Sequence, residues 1–261
     1  MIRDVDGPIA WCEAGTGPPI LFLHGLGMTR TGWDAQLEDL ADRWRCVAWD
    51  MPGYGASAPL DGLSLEAAAD AAATLAAELG GPVHVVGLSM GGMVALQLAL
   101  RHPQAVRSLV LCDTSPAFGL DGTDPDAWRA ARLAPLDAGA RVEDFAEPVL
   151  RAVMAPDADP AAIRAAVDSM LRVPVAGLRQ AIAALPDHDV RARLGEIAVP
   201  TLVVVGELDE ETPLAYAEAL ARGIPGARLE VIPGVGHYTP LEAPAVLNAL
   251  LRDHIGTVEQ A

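Results

Sequence analysis

Lysine is absent from this 261-residue chain, so its permanently cationic side chains are all arginines. Schiff-base enzymes, pyridoxal-lysine enzymes and phosphate-binding glycine–lysine loops each need a lysine amine, and the sequence therefore excludes these classes. Positive charge is scarce in general, because 18 arginines face 35 acidic residues and the net charge is −17. Nucleic acids and anionic membrane surfaces are bound by basic patches, and we expect neither as a partner.

Cysteine is also scarce, and long hydrophobic runs are missing. The three cysteines (Cys12, Cys46 and Cys112) lie far apart in apolar, strand-like runs without C-x-x-C spacing, which predicts buried reduced thiols and a cytoplasmic protein. No stretch approaches the roughly 18 uninterrupted apolar residues of a membrane helix, and we expect no signal peptide. No His, Cys or Asp cluster has metal-ligand spacing and no G-x-G-x-x-G follows a strand, so we predict neither a metal nor another cofactor.

The most informative stretch contains a serine between glycines. An apolar, β-branched run, Val83 to Val86, predicts a buried strand, and apolar residues from Met90 onward have helical spacing. Between them lies Gly87-Leu88-Ser89-Met90-Gly91, which is G-x-S-x-G in the strand–turn–helix context that exposes a reactive hydroxyl above a sheet. The alternative is a glycine-rich turn with an idle serine, but the flanking strand and helix favour the functional interpretation.

Strand-like runs alternate with helical patterns along the chain, after a short N-terminal hairpin. This alternation predicts an α/β fold: a mostly parallel, eight-stranded sheet with helices on both faces. The alternation of strands and helices stops after Asp113, where helical runs are broken by prolines and no strand-like run occurs. We therefore predict a core of residues 1–114 and 187–261 with a helical insertion of residues 115–186. Local patterns also predict a helix over Trp33–Trp44 capped by Thr31, and a capping box over Thr239–Glu242.

A serine hydroxyl needs a base to become a nucleophile, and the base needs an orienting acid. His237, in a glycine-flanked loop after the last predicted strand, is the best base candidate. Asp209, after the strand that ends at Val205, is the favoured acid because the order serine, acid, histidine is typical of one known hydrolase pattern. Asp113, at another predicted strand end, is the competing candidate.

The tetrahedral intermediate of such a reaction requires two N–H donors. Met90, directly after the serine, supplies one, and we expect Leu26 in the loop His24-Gly25-Leu26-Gly27 to supply the other. The alternative is that these glycines only permit a tight turn.

Taken together, these motifs resemble an α/β-hydrolase-fold serine hydrolase over nearly the full chain. The matching stretches are His24–Gly27, Asp50–Ser57, Gly87–Gly92, Val199–Asp209 and Gly236-His237. The resemblance implies Ser89 as nucleophile, His237 as base, Asp209 as acid, and a helical cap inserted before the acid strand. Within that superfamily the chain is most similar to 3-oxoadipate enol-lactonase-like and carboxylesterase members, through Gly87–Met93 and Ile224–Leu229. Related esterases, C–C bond hydrolases and perhydrolases share both stretches. Haloalkane dehalogenases and epoxide hydrolases use an aspartate at the position of Ser89, so we expect neither activity.

We therefore predict a cofactor-free serine hydrolase that cleaves a small or medium ester or lactone through an acyl-serine intermediate. Two alternatives stay open: a C–C bond hydrolase of vinylogous diketones with the same triad, and a non-catalytic ligand-binding receptor on a hydrolase scaffold. The predicted partner is a small-molecule substrate, and a homo-oligomer is possible. The candidate substrate-binding residues are Trp33, Phe118, Trp128, Met154 and Tyr238. Each of them is equally compatible with ordinary core packing. Arg129 or Arg132 is a candidate for binding a substrate carboxylate, and the alternative for each is a place on a solvated helix face.

Overall fold

The computed structural model describes residues 1–260, and its centre is one eight-stranded sheet. The strands are β1 (Arg3–Val5), β2 (Trp11–Ala14), β3 (Pro19–Leu23), β4 (Arg45–Trp49), β5 (Val83–Leu88), β6 (Val106–Cys112), β7 (Thr201–Gly206) and β8 (Arg228–Ile232). They lie in the order β1-β2-β4-β3-β5-β6-β7-β8. The first two strands pair antiparallel and β2 runs antiparallel to β4, whereas every pairing from β4 to β8 is parallel. The predicted mostly parallel sheet is confirmed.

Helices cover this sheet. They are α1 (Asp34–Leu40), α2 (Leu65–Glu78), α3 (Met90–Arg101), α4 (Pro125–Asp137), α5 (Val142–Val153), α6 (Pro160–Met170), α7 (Val175–Ala184), α8 (Leu214–Gly223), α9 (Thr239–Glu242) and α10 (Pro244–Gln260). In the core, α1 packs against α10, and α2 packs against α3. Every residue of β5 and β7 is buried, which requires cover on both faces of the sheet. Within residues 1–260, no helix has both the length and the apolar character needed to cross a membrane.

Four of the helices, α4 to α7, lie between β6 and β7 in the chain, in the segment predicted as the insertion. We call residues 115–186 the cap segment. Its two ends are hydrogen-bonded side by side, because the N–H of Phe118 donates to His188 (2.9 Å) and the N–H of Val190 donates to Pro116 (2.8 Å). Within the segment α5 packs on α6 and α4 on α7. Such pairing is expected of an insertion, because the chain leaves the sheet and returns beside the point where it left. The division into a core and an inserted cap stays a prediction.

The beginnings of the helices depend on local contacts. Ser64 caps α2, since its hydroxyl accepts a hydrogen bond from the N–H of Ala67 at 3.1 Å. The helix expected over Trp33–Trp44 is shorter, because a 3₁₀ turn over Arg30–Trp33 precedes α1 and the helix ends at Leu40. The predicted cap Thr31 was wrong, because this residue lies inside that 3₁₀ turn.

The capping box predicted for Thr239–Glu242 was also wrong in its first half. The residue before α9 is Tyr238, and the hydroxyl of Thr239 is buried without a hydrogen-bond partner. Instead, the backbone N–H of Thr239 donates to the carboxylate of Asp113 at 3.1 Å. A contact from another strand end has therefore replaced the local cap.

The turn between β5 and α3 is a tight junction between strand and helix. Ser89 has φ 53° and ψ −119°, a left-handed conformation that side chains rarely adopt. Glycine at position 91 lets α3 begin directly against β3, because a Cβ there would lie 2.1 Å from the carbonyl oxygen of Leu23. A Cβ at Gly87 would lie 2.5 Å from the carbonyl oxygen of Gly91. The serine is thus held at the end of β5 by backbone contacts on both sides.

This packing makes a test possible with glycine variants. Gly91→Ala should lower the free energy of unfolding by about 1–3 kcal/mol, because the new methyl group forces α3 away from β3. Thermal and urea unfolding measure this change. Gly195→Ala is the matched control, since no heavy atom lies within 4 Å of its added Cβ, and its stability should stay within about 0.5 kcal/mol of the wild type. Equal stability of the two variants would contradict the packing described here.

Candidate active site

The three residues predicted as a triad meet at the carboxyl edge of the sheet. His237 Nε2 lies 3.0 Å from Ser89 Oγ, across 148 positions of sequence. His237 Nδ1 lies 2.9 Å from Asp209 Oδ2, across 28 positions. Ser89 follows β5, Asp209 follows β7 and His237 follows β8. These contacts form a continuous hydrogen-bonded line from carboxylate to imidazole to hydroxyl, which is the geometry of an activated serine.

The carboxylate of Asp209 is held in place by its own loop. Its Oδ1 accepts the N–H groups of Glu211 and Thr212, both at 2.9 Å, and its Oδ2 accepts the hydroxyl of Thr212 at 2.7 Å. Burial raises the pKa of Asp209, but the charge of His237 and these hydrogen bonds outweigh burial and lower the pKa below its ordinary value. Asp209 is therefore charged at neutral pH and aimed at the imidazole.

Asp113, the competing acid, has a different position. It is completely buried, and its carboxylate accepts the N–H of Gly206 at 3.0 Å and the N–H of Thr239 at 3.1 Å. Burial, together with the charge of Asp209, raises the pKa of Asp113 to about 8. Asp113 ties the ends of β6 and β7 to the start of α9 and lies beside the triad. The structure thus brings Asp209 to Nδ1 of the histidine, in preference to Asp113.

His237 is enclosed by these acidic groups. Burial alone lowers the pKa of His237, but the charge and hydrogen bond of Asp209, followed by the charges of Asp113 and Glu211, raise it to about 9. Two effects follow from this balance. An imidazolium at this position is stabilised, and neutral imidazole, the form that can accept a proton, becomes available only as the pH rises.

The loop predicted to supply an N–H donor passes directly beside the serine. A Cβ at Gly25 would lie 3.2 Å from the Cβ of Ser89, and Leu26 lines the same cavity as the serine hydroxyl. His24 fixes this loop, because its Nδ1 donates to the carbonyl of Gly25 (3.0 Å) and its Nε2 accepts the N–H of Met51 (3.0 Å). Met90 is the first residue of α3, where a backbone N–H has no acceptor within the helix.

A cavity of about 260 Å³ opens above Ser89 between the sheet and the cap segment. Its apolar and small lining residues are Leu26, Met93, Ala117, Phe118, Gly119, Trp128, Val149, Val153, Leu185 and Tyr238. Its polar lining residues are Ser89, Ser115, Asp121, Thr123, Arg132, Glu210, Glu211, Thr212, Tyr216 and His237. Three predicted substrate-binding residues are therefore placed at the cavity, namely Phe118, Trp128 and Tyr238.

Two predicted substrate-binding residues do not line this cavity. Trp33 is completely buried and packs against Phe22, with ring centroids 5.0 Å apart, so it belongs to the core. Met154 is buried as well, and its backbone lies against Gly236, where an added Cβ would come within 2.9 Å of the Met154 Cα. An aromatic or long apolar residue near the site in sequence fits a core and a pocket equally well, and only packing separates the two.

Part of the cavity wall is contributed by α5 and was not predicted from the sequence. Val149 and Val153 are four residues apart on one helical face and line the cavity. Val149 is 47% exposed, which is unusual for valine on an amphipathic helix. Their spacing was a signal for a shared face, but the sequence could not show that this face borders the cavity.

Charged groups surround the mouth of the cavity. Arg132 stacks over the Trp128 ring at 4.6 Å and pairs with Glu211 at 3.3 Å. Arg129, the other candidate for binding a substrate carboxylate, does not line the cavity and pairs with Asp126 at 3.0 Å. Asp121 and Glu210 also lie at the cavity, so acidic groups outnumber the one arginine there. Among residues 1–260, no group of three or more His, Cys, Asp or Glu side chains could hold a metal ion.

Comparison with known proteins agrees with this geometry. Residues 20–250 match the model of the Alpha/beta hydrolase family. The chain belongs to this family. It is 34% identical over 241 residues, which cover 90% of this chain and 76% of the relative, to a pimeloyl-[acyl-carrier protein] methyl ester esterase of Neisseria meningitidis. The predicted family and fold are confirmed, and so is the broad prediction of an ester-hydrolysing enzyme.

Two solved structures superpose closely on the chain. A thermophilic esterase from Thermogutta terrifontis has a TM-score of 0.87 at 29% identity and covers 99% of both chains. The enol-lactonase from Burkholderia xenovorans LB400 has a TM-score of 0.85 at 24% identity and covers 95% of this chain and 96% of its own. The second likeness is one of fold, as its low identity implies.

The two acids beside His237 can be separated by mutation. Asp209→Asn should lower kcat for an ester by about 10³–10⁴-fold, because the imidazole loses its orienting charge. Asp113→Asn should change kcat by less than about tenfold while lowering stability by about 1–3 kcal/mol, because it disturbs two backbone hydrogen bonds. Steady-state kinetics and urea unfolding measure both effects. The reverse order of kcat losses would assign the acid role to Asp113.

The raised pKa of His237 predicts opposite pH dependences for activity and stability. The kcat/KM should rise with unit slope and level off at an apparent pKa between 6.5 and about 9, since only neutral imidazole accepts the serine proton. The protonated histidine beside Asp209 stabilises the folded state fully below pH 6.5, and this contribution is lost as the pH rises through about 9. A pH–rate profile and unfolding curves across this range would test both trends. An activity limb centred below pH 6.5 would contradict the raised pKa.

Proposed function

We propose that the protein is a cofactor-free esterase that hydrolyses small or medium esters of uncharged acyl chains through an acyl-Ser89 intermediate. The observation that carries the proposal is the hydrogen-bonded line from Asp209 through His237 to Ser89, at the floor of a cavity with an apolar wall. A ligand-binding receptor, or a serine that serves only to pack the turn, needs no such hydrogen-bonded line, because neither has to activate a hydroxyl.

In the proposed reaction, His237 Nε2 removes the proton from Ser89 Oγ while the oxygen attacks the ester carbonyl. The N–H groups of Leu26 and Met90 stabilise the resulting oxyanion. His237 then protonates the departing alcohol, leaving an acyl-serine. A water molecule, deprotonated by the same nitrogen, attacks the acyl group, and collapse of the second intermediate returns the proton to Ser89 Oγ. Asp209 keeps the imidazole oriented throughout.

The size and the charges of the cavity favour a substrate of modest size that carries no negative charge near the cavity mouth. Its volume of about 260 Å³ is small for a ligand pocket, and its apolar wall includes Phe118, Trp128 and Val153. Arg132 is already paired with Glu211 and is outnumbered by acidic groups. A carboxylate on the acyl chain would therefore meet repulsion at the mouth. We propose that the cap segment forms this selective wall.

The relative named above acts, by its name, on an ester attached to a carrier protein, and for this chain we propose a free ester instead. The cap segment contains ten acidic residues and seven arginines. Five of those arginines already pair with carboxylates. Little free positive charge is left to attract an acidic partner protein. Linear esters are favoured over lactones because the relative named above is, by its name, a methyl ester esterase. Cytoplasmic location stays a prediction, in keeping with three buried free cysteines.

A labelling and turnover experiment tests this proposal. The purified protein should react with a fluorophosphonate probe at Ser89, and it should hydrolyse p-nitrophenyl butyrate and neutral methyl esters. Ser89→Ala should remove labelling and lower kcat by about 10³-fold or more, because the nucleophile is lost. His237→Ala should remove labelling while leaving the hydroxyl in place.

A substrate panel then separates the alternatives. A methyl ester with a terminal carboxylate should have a lower kcat/KM than its neutral homologue, with a difference that shrinks at high salt. Faster cleavage of vinylogous diketones than of any ester would select the C–C hydrolase. Ligand binding without turnover, unaffected by Ser89→Ala, would select the receptor.

A further inference from the structure

The loop that carries the histidine is held by groups outside it. We call residues 236–239 the histidine loop, and all four of its backbone N–H groups have acceptors. The N–H of Thr239 donates to Asp113. The two N–H groups on either side of His237 converge on one carboxylate, that of Glu242. A single side chain therefore fixes the backbone before and after the proposed base.

The contacts of Glu242 are short and divided between its two oxygens. Oε1 accepts the N–H of Tyr238 at 2.9 Å, and Oε2 accepts the N–H of Gly236 at 3.1 Å. Hydrogen bonds to an ionised acceptor are roughly twice as strong as those between neutral groups. This pair of bonds opposes any rotation of the peptide planes that orient the imidazole.

Glu242 also reaches the cap segment. Its Oε2 accepts the N–H of Ala155 at 2.8 Å, just beyond the end of α5. Beside it, the N–H of His237 donates to the carbonyl of Val153 at 2.9 Å. A Cβ at Gly236 would lie 2.5 Å from the nitrogen of Ala155, so loop and cap segment are in direct backbone contact. The histidine loop is complete only when the cap segment is seated against it.

We propose that Glu242 is a positioning residue for His237 that couples the placement of the base to the seating of the cap segment. The proposal rests on the proposed function, in which His237 is the base. Glu242 does not line the cavity, so it acts through the backbone and not on the substrate.

The test is Glu242→Gln in the full-length protein. The amide keeps one oxygen but replaces the other with an NH₂ group that cannot accept an N–H, so either the bond from Tyr238 or those from Gly236 and Ala155 are lost. We expect kcat for p-nitrophenyl butyrate to fall about 10- to 100-fold while KM changes less than threefold, because a base displaced by a fraction of an ångström transfers protons slowly. The apparent pKa of the activity limb should move toward 6.5 as His237 separates from Asp209.

Glu207→Gln is the matched control. Glu207 also accepts a backbone N–H from the neighbouring turn, that of Gly234 at 3.0 Å, but within residues 1–260 its side chain forms no hydrogen bond with the histidine loop or the cap segment. Its kcat and pH profile should match the wild type within about twofold. If both variants lose kcat to the same extent, in proportion to their loss of thermal stability, the positioning role of Glu242 is overturned.

Hydrogen exchange provides a readout that does not depend on turnover. In Glu242→Gln, amides of residues 153–157 and 234–240 should lose protection together, whereas Glu207→Gln should affect only the second stretch. If Glu242→Gln does not fold, Glu242→Asp, which keeps the charge on a shorter arm, serves the same comparison. An unchanged kcat and pH profile in a folded variant would overturn the proposal. A wild-type protein inactive on every ester would overturn the proposed function, and the exchange data would still decide whether Glu242 joins loop and cap.

Discussion

The close contact between the first turn of α3 and the end of β3 is the constraint on which the rest of the site depends. Without a side chain at Gly91, the helix can start at the sheet surface and force Ser89 into a left-handed conformation. That conformation directs the hydroxyl upward, toward the ends of the neighbouring strands. The other two residues of the line need only be delivered by loops after β7 and β8, which parallel strands bring to the same edge.

Much of this arrangement could be predicted because its signals are local. Glycine spacing, the buried strand before Ser89 and the helix after it specify the turn without knowledge of the tertiary structure. Strand-end placement and the order of the motifs favoured Asp209, although Asp113 also follows a strand and also lies between Ser89 and His237 in the chain. The order of residues does not show the role of Asp113. Its carboxylate accepts the N–H groups of Gly206 and Thr239, and these contacts form only in the folded chain.

The cavity walls were harder to predict, because the same apolar residue types line pockets and fill cores. Trp33 follows the predicted oxyanion loop closely in the sequence, yet it packs on Phe22 beneath the surface. Val149 was passed over, yet its exposed face borders the cavity. The same limit applies to Glu242. Its sequence position predicted a local cap, and it does accept the N–H of Tyr238, the residue before α9. Its other two donors are Gly236 and Ala155, and Ala155 belongs to the cap segment.

The backbone bonds between the cap segment and the histidine loop have a consequence for protein engineering. Exchanging caps between relatives is an obvious way to change substrate range, with cuts made where the segment leaves and rejoins the core near residues 115 and 187. In this chain such a chimera would also replace Val153 and Ala155, whose carbonyl and N–H complete the surroundings of His237. A graft must therefore reproduce the path of the backbone at the end of α5, and matching side chains in the pocket will not substitute for it.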